Sequence, residues 1–438
     1  MHILPQFIFA VLLAVAAYFI FRSVSRIRFN ILLGKSYEPS SSIPERWMNM
    51  TLTALGQRKM FKKPLPAILH IFVYLGFLIV NVEMLEIGLD GLLGTHRLFA
   101  APLGSFYTFI INVFEFFAVA VIIACVIFLI RRNIVHVKRF IGKEMTQWPR
   151  LDANLILIFE ICLMIAFLTM NAGDKLLQGQ NDHYIATGNF MFSSLLASLL
   201  SGLSAPTLFV LERSAWWFHI VGVMFFANYV FYNSKHLHIF FAFLNTYYAR
   251  LTPQGKVDNM PSVTKEVQLM LGMTPTDNTP ADPSTPMRFG AKDVQDLSWK
   301  NLMDAYSCTE CGRCTEQCPA NLTGKLLSPR KIMMDTRDRL EEVGNNIRLH
   351  GKDHQDDKSL FNYISEEEIL ACTTCNACVE ACPVQISPVE IIVQMRRYKV
   401  MEESKAPGSW NAMFSNIENN FAPWKFSPSD RFNWSDKL

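Results

Sequence analysis

The chain has 438 residues, half of them hydrophobic, and its 41 Lys and Arg against 38 Asp and Glu leave a net charge of +3. That balance is too near neutral to argue for nucleic acid, whose recognition rests on massed positive charge. The length allows two or three domains, and the average hides a division: long apolar runs fill 1–246, while 250–438 is polar throughout.

A membrane-spanning helix needs roughly 20 apolar residues. Five stretches qualify, at about 3–22, 66–88, 106–131, 152–171 and 215–234. Residues 3–21 lack a basic start and a small-residue cleavage site, so they read as a mature helix and not a signal peptide. A sixth stretch, 188–204, is short and interrupted by Ser193, Ser194, Ser198, Ser201 and Gly202; it reads as an amphipathic or re-entrant helix on the outer face. Nine basic residues lie in 22–65 and six in 131–150, while the alternate loops carry one and two. The positive-inside bias therefore puts the N-terminus outside and everything after residue 234 inside.

Ionisable groups inside a membrane are costly and point to function. His70 lies near the inner end of the second span, His219 opens the fifth, and His238 closes it in Ser234-Lys235-His236-Leu237-His238. The 19 residues from His219 to His238 span roughly 28 Å at helical rise, about one hydrocarbon thickness. His70 and His238 are then level at the inner face and form the expected axial pair of a b-type haem. His236 and His136 are rivals there. A second, outer haem needs a partner for His219, and His96 and His183 are the candidates. Glu115 and Glu160 read as hydrogen-bonded polar spots, haem-propionate neighbours or quinone-site groups in preference to an ion-transport path. Cys125 and Cys162 read as small apolar residues in helix packing.

The polar half carries the sharpest motif. Cys308-x-x-Cys311-x-x-Cys314-x-x-x-Cys318-Pro319 recurs as Cys372-x-x-Cys375-x-x-Cys378-x-x-x-Cys382-Pro383. Eight thiols in this doubled spacing suit two [4Fe–4S] clusters; three cysteines of one motif wrap one cluster and the fourth, ahead of Pro, reaches the other. Cys308, Cys311, Cys314 and Cys382 are expected on the first cluster, and Cys372, Cys375, Cys378 and Cys318 on the second. Two zinc sites would instead use paired Cys-x-x-Cys knuckles. The 53 residues between Cys318 and Cys372 include Ser328-Pro329, an N-cap followed by Pro at the first helical position, leading a helix-like run over 331–340. Further helices are expected at 366–371 and 388–400. Residues 252–290 show no strong periodicity. Trp410, Phe414, Phe421, Trp424, Phe426, Phe432 and Trp434 make 404–438 too aromatic for a free tail, so packing on the domain or on a partner subunit is expected.

The segments Phe289-Gly290-Ala291-Lys292-Asp293, Cys308-Thr309-Glu310-Cys311-Gly312-Arg313-Cys314, Leu322-Thr323-Gly324-Lys325 and Glu368-Ile369-Leu370-Ala371-Cys372-Thr373-Thr374-Cys375 resemble membrane-bound, heterodisulfide-reductase-like iron–sulfur oxidoreductases. The first half resembles the haem b membrane subunit of respiratory nitrate reductase. Electron-transfer-flavoprotein:menaquinone oxidoreductases share this fused layout. The resemblance implies electron exchange between a membrane quinone pool and a soluble redox partner, a flavoprotein or a thiol/disulfide couple, in a bacterial-type cytoplasmic membrane. It also implies haem ligands from the second and fifth spans. His70, His219 and His238 fall near three of those positions, and Val80 stands at the fourth. Longer relatives continue into cysteine-rich repeats, so a separate iron–sulfur subunit is the expected partner.

The expected fold class is all-α. It comprises a five-span haem b domain over 1–246, a linker over 247–290, a cytoplasmic α-helical dicluster ferredoxin domain over 291–403, and the aromatic tail over 404–438. The runner-up is a haem-free anchor with a ferredoxin head.

Overall fold

The five apolar runs become five long helices in the computed structural model, which describes residues 3–180, 183–273, 289–354, 356–425 and 427–437. They are Ile3–Ile31, Pro64–Leu93, Ser105–Asn133, Trp148–Leu177 and Ala205–Asn233, here called the first to fifth spans. Each is long and apolar enough to cross a membrane. Among the described residues no strand forms beyond one isolated bridge between Lys35 and Ser298.

The spans run past their apolar stretches because the polar residues at their ends find partners. Glu212 is 1% exposed, pairs with Arg213, and accepts from the Tyr184 hydroxyl at 2.7 Å, so 205–214 joins the fifth span instead of forming a loop. The second span starts on Pro64 and stops at Gly94, whose φ of +72° suits the left-handed C-terminal position that glycine tolerates. The fourth span packs between the third and fifth; the first lies against the fifth and second. Phe7, Leu85 and Phe109 face outward, each at least 60% exposed, an apolar girdle that water would penalise. The 188–204 segment yields only Ser193–Leu200, eight residues, about 12 Å at helical rise and far short of a bilayer. Its first residue is buried because Ser193 donates from both backbone and hydroxyl to Glu115.

The polar half is built on Trp299–Ser307, Pro329–His350 and Pro388–Arg397, with short helices between. Ser328 caps Pro329–His350 as its sequence suggests, accepting from the Lys331 amide. That helix runs ten residues beyond the expected 331–340, because Arg339, 2% exposed, ties it to Asp293, Glu342 and Asp356. A helix at Pro261–Met270 also forms where no periodicity was evident; 274–288 of the linker and Phe426 of the tail lie outside the described residues. The tail helix Gly408–Asn420 has no buried residue, and Phe421 is 88% exposed. The aromatic tail therefore does not bury itself on this domain.

The two halves share one core. Ile27 and Ile31 of the first span and Leu237 pack into the same cluster as Leu302, Tyr306, Ile332 and Met395. The seam also carries buried polar pairs. Asn30 is fully buried, donates to the Tyr306 hydroxyl at 2.8 Å and accepts from Arg348 at 3.0 Å. Glu310, 4% exposed, receives both Lys235 and Arg337. Arg330, 1% exposed, reaches Glu144 at 2.7 Å and the Arg139 carbonyl at 2.5 Å. All of these contacts lie at the span ends that carry the two basic loops.

Two substitutions test this seam. A Cβ on Gly344 would fall 2.0 Å from the Asn30 amide oxygen. Gly344→Ala should lower the unfolding midpoint in detergent by the equivalent of about 1–3 kcal/mol, the usual cost of overpacking. Glu310→Gln removes the carboxylate that Lys235 and Arg337 share; Arg337 keeps Asp338, while the Lys235 ammonium has no other carboxylate among the described ion pairs. It should cost about 3–5 kcal/mol, because the Lys235 cation is left unpaired in a buried seam. Thermal unfolding followed by circular dichroism reads both.

Candidate functional site

The two cysteine motifs fold alike. In each, the second residue after the first cysteine takes positive φ, at Glu310 (+54°) and Thr374 (+54°), as does the residue two further on, at Gly312 (+71°) and Asn376 (+59°). Left-handed residues turn successive amides to the inside of a loop, where they can meet thiolates. The Thr374 amide lies 3.4 Å from Cys372 Sγ, and the Ile386 amide 3.4 Å from Cys382 Sγ. Short helices then carry Cys314 and Cys378 back toward the loop.

The fourth cysteine of each motif crosses to the other. Cys308, Cys311, Cys314 and Cys382 line one pocket, which Cys378 of the second motif also lines. Burial first, then Cys308, Cys311 and Cys382, push the Cys314 thiol well above its ordinary value. Burial, then Cys372 and Cys318, push Cys378 up to about 12, and burial with its thiol neighbours does the same to Cys308. Thiols packed this way cannot ionise unaided, and a metal centre reverses that by binding them as thiolates. A cubane spreads its four thiolates over four irons, and the crossed grouping fits that demand.

The two motif loops differ in what surrounds them. Cys308 is buried, and Cys311 faces a cavity among the spans. Cys375 is the one exposed cysteine of the eight. Glu310 and Arg313 in the first loop are buried, where the second has the neutral Thr374 and Ala377.

That cavity, about 300 Å³, extends from Cys311 and Arg313 to Glu160 and Phe77 inside the spans. His70 and His238 stand in its wall with ring centroids 6.5 Å apart and planes 42° from each other. Two metal–nitrogen bonds of about 2 Å each, plus the half-widths of two imidazoles, span roughly this distance. His238 donates its Nδ1–H to the Lys235 carbonyl at 3.1 Å; this fixes the tautomer and leaves Nε2 free to bind a metal. His70 Nδ1 is buried without a hydrogen-bond partner. His236 also lines the cavity, 4.0 Å from Glu160. His136 is exposed and turns back on the Ile134 carbonyl at 2.9 Å.

The outer histidines are not brought together as a pair with His219. His96 meets Asp174 at 3.2 Å and stacks near His183 and Tyr184, with centroids 5.3 and 4.9 Å away. His219 is 2% exposed, donates Nδ1–H to the Leu163 carbonyl at 2.9 Å, and has Phe167 as its ring neighbour. Val80 is buried in the core among the spans. Three outer acids are hydrogen-bonded, Glu115 to Asn171 and Ser193, Glu86 to Tyr107 and the Phe99 amide, Asp174 to Arg97, while Glu83, 3% exposed, keeps Oε2 buried without a partner.

Reading the sequence for chemistry missed the arginines of the cavity. Arg139 and Arg313 line it, and in the sequence they count only as loop and motif charges. Phe140, stacked by two neighbouring guanidiniums, is the local signal that these side chains turn inward.

Comparison with known proteins agrees with the cysteine geometry. Models of the 4Fe-4S dicluster domain match residues 307–386 and 273–323. The chain is 28% identical, over 98% of its length and 60% of the relative's, to the probable iron–sulfur-binding oxidoreductase FadF of Bacillus subtilis. It is 26% identical, over 98% of its length and 59% of the relative's, to the EtfAB:quinone oxidoreductase of Syntrophomonas wolfei. A probable membrane-anchored ferredoxin of Chromohalobacter salexigens is 32% identical over 34% of this chain and 24% of its own. The chain thus spans about three-fifths of the two relatives that it matches nearly end to end. No solved structure matches. What the comparisons establish is an all-helical chain with five membrane-length helices and a 4Fe-4S dicluster region, similar to iron–sulfur oxidoreductases over nearly its whole length.

Proposed function

We propose that this chain is the membrane electron-transfer subunit of a quinone-linked respiratory oxidoreductase. It would pass electrons between a soluble redox partner and the menaquinone pool. The observation that carries the reading is the shared cavity: Cys311 of the first motif and the pair His70 and His238 line one space. A bound haem b and two [4Fe–4S] clusters would supply the one-electron carriers there, with potentials set by ligands and burial. The protein's part is to hold and tune. His70 and His238 hold the haem; Cys308, Cys311, Cys314 and Cys382 hold the inner cluster; Cys372, Cys375, Cys378 and Cys318 hold the outer one. Lys235 ties the histidine segment to the Glu310 loop, so the two sites keep a fixed separation.

The EtfAB:quinone oxidoreductase among the relatives supports a flavoprotein on the soluble side and quinone on the other. Flavoprotein oxidation with menaquinone reduction is the preferred direction, with menaquinol-driven disulfide reduction second. An iron–sulfur protein remains the second proposed partner. The basic loops and the cysteine domain lie at one end of the spans, which supports a cytoplasmic domain and an outside N-terminus in a bacterial-type cytoplasmic membrane. The placement of His96 and His219 argues for one haem, not two. The membrane-anchored ferredoxin relative supports the alternative, a haem-free anchor with a ferredoxin head.

A dithionite-reduced visible spectrum of the purified protein separates the two readings. The expected result is a b-type α-band that His70→Ala and His238→Ala each abolish; a wild-type protein without the band leaves the haem-free reading. Crossed ligation predicts that Cys318→Ser perturbs the same electron-paramagnetic signal as Cys372→Ser. Cys382→Ser should perturb the signal that Cys311→Ser does. Matching by motif instead would overturn the crossing.

A further inference from the structure

Beside the histidine cavity lies a second, of about 200 Å³, lined by Arg132, Arg139, Phe140, Lys235, His236 and His238, with Cys311 at its edge. Two arginines project their heads toward one ring here. The Arg132 guanidinium lies 4.6 Å from the Phe140 centroid and that of Arg139 lies 5.0 Å from it. The arrangement leaves donors unused. Arg132 Nε and Nη2 and Arg139 Nε are buried without any hydrogen-bond partner in the protein. Arg139 is 8% exposed along its side chain, and its Nη1 is 3.4 Å from Glu316, which Lys63 also engages. Arg132 has no carboxylate among the described ion pairs.

Buried guanidinium nitrogens without acceptors are costly, and two like charges sharing one aromatic ring add repulsion. Glu310 also lines this cavity but does not relieve this, because its carboxylate is committed to Lys235 and Arg337. An acceptor carrying negative charge would satisfy all three nitrogens and the repulsion together. Planar carboxylates match the guanidinium fork. The site lies beside His238 and opens on the cavity that holds His70.

We propose that Arg132 and Arg139 form a clamp for the two carboxylates of the haem, resting on the haem reading above. The clamp would hold the carboxylates at the span ends near Cys311, with Val73, Phe77 and Leu78 lining the apolar part of the cavity. It also places two positive charges beside the group, which favours its reduced form. Neither arginine is a metal ligand; both are positioning residues.

The test is a potentiometric titration of the b-type band in the full-length protein in detergent. Arg132→Gln and Arg139→Gln are each expected to lower the midpoint potential, to lower it further together, and to reduce haem content several-fold in the double variant. Arg139→Lys should recover most of the potential, because it restores charge without the fork. Two outcomes overturn the proposal and are distinct. A wild-type protein with no b-type band sinks the haem reading and the clamp with it. A band whose potential and occupancy are unchanged in both Gln variants sinks the clamp alone. Should both Gln variants misfold, the Arg132→Lys and Arg139→Lys variants decide it: both are expected to keep most of the potential but lose haem on dilution, and unchanged haem retention in both would overturn the fork.

Discussion

The arrangement of this protein depends on one buried carboxylate. Glu310 lies inside the first cysteine loop, between Cys308 and Cys311, and accepts from Lys235 at the end of the fifth span and from Arg337 in the long helix of the cysteine domain. Burial alone would raise its pKa, but Lys235 and Arg337 outweigh that and hold the carboxyl below its ordinary value. It is therefore charged, and the three groups form one unit. Because Lys235 is three residues before His238, the unit joins the histidine segment and the cysteine loop through side chains a few residues from each. A long linker between two domains could not keep that spacing. Here the linker is not asked to, since Ile27, Ile31 and Leu237 share a core with Leu302 and Met395.

The same carboxylate marks how the repeated motifs diverged in use. Both loops take the same left-handed turns at matched positions. One closes against the spans with Glu310 and Arg313 buried; the other carries Thr374 and Ala377 and leaves Cys375 exposed. A cluster's potential follows its net charge, hydrogen bonds and solvent exposure, so two sites with identical ligands and unequal surroundings are poised differently. The buried loop faces the histidine cavity and the open one faces solvent. Geometry alone thus orders the sites from the spans outward, which a chain of identical, equally buried loops would not do.

Much of this was legible from residues. The eight cysteines announce two like loops in their spacing, and the two loops take the same left-handed turns at matched positions. His70 and His238 were legible as level because helical rise converts residue count to depth. The Ser328-Pro329 start of the long helix was legible from capping chemistry. Other features depend on partners distant in the chain, and no local pattern reports those. Residues 205–214 look like a loop because Glu212 and Arg213 are charged, yet each neutralises the other and Tyr184 completes the set. Arg132 and Arg139 look like ordinary cytoplasm-facing charges, yet they turn inward around Phe140. The helix Pro261–Met270 arises from a stretch whose composition resembles a linker.

At the outer end of the spans buried charges find partners in one another. Arg97, 6% exposed, reaches Asp174, Asn171 at 2.8 Å and Tyr107 at 3.1 Å. Asn171 passes on to Glu115 at 3.1 Å, and Glu115 holds Ser193 and the amide of Phe192. Tyr107 donates to Glu86 at 2.6 Å, which takes the Phe99 amide at 2.8 Å. These bonds fasten the loop after the second span and the two-turn helix Ser193–Leu200 onto the third and fourth spans. Acids buried in spans would suggest an ion path if they were free to exchange partners. Glu86 and Glu115 instead satisfy fixed backbone amides, and a carboxylate bound to an amide cannot release it without opening the loop that the amide belongs to. Both ends keep buried atoms without a partner, Glu83 Oε2 and His96 Nδ1 at the outer end, His70 Nδ1 and nitrogens of Arg132 and Arg139 at the inner. What distinguishes the inner end is that its unpartnered nitrogens belong to residues lining the two cavities that also reach Cys311 of the cysteine domain.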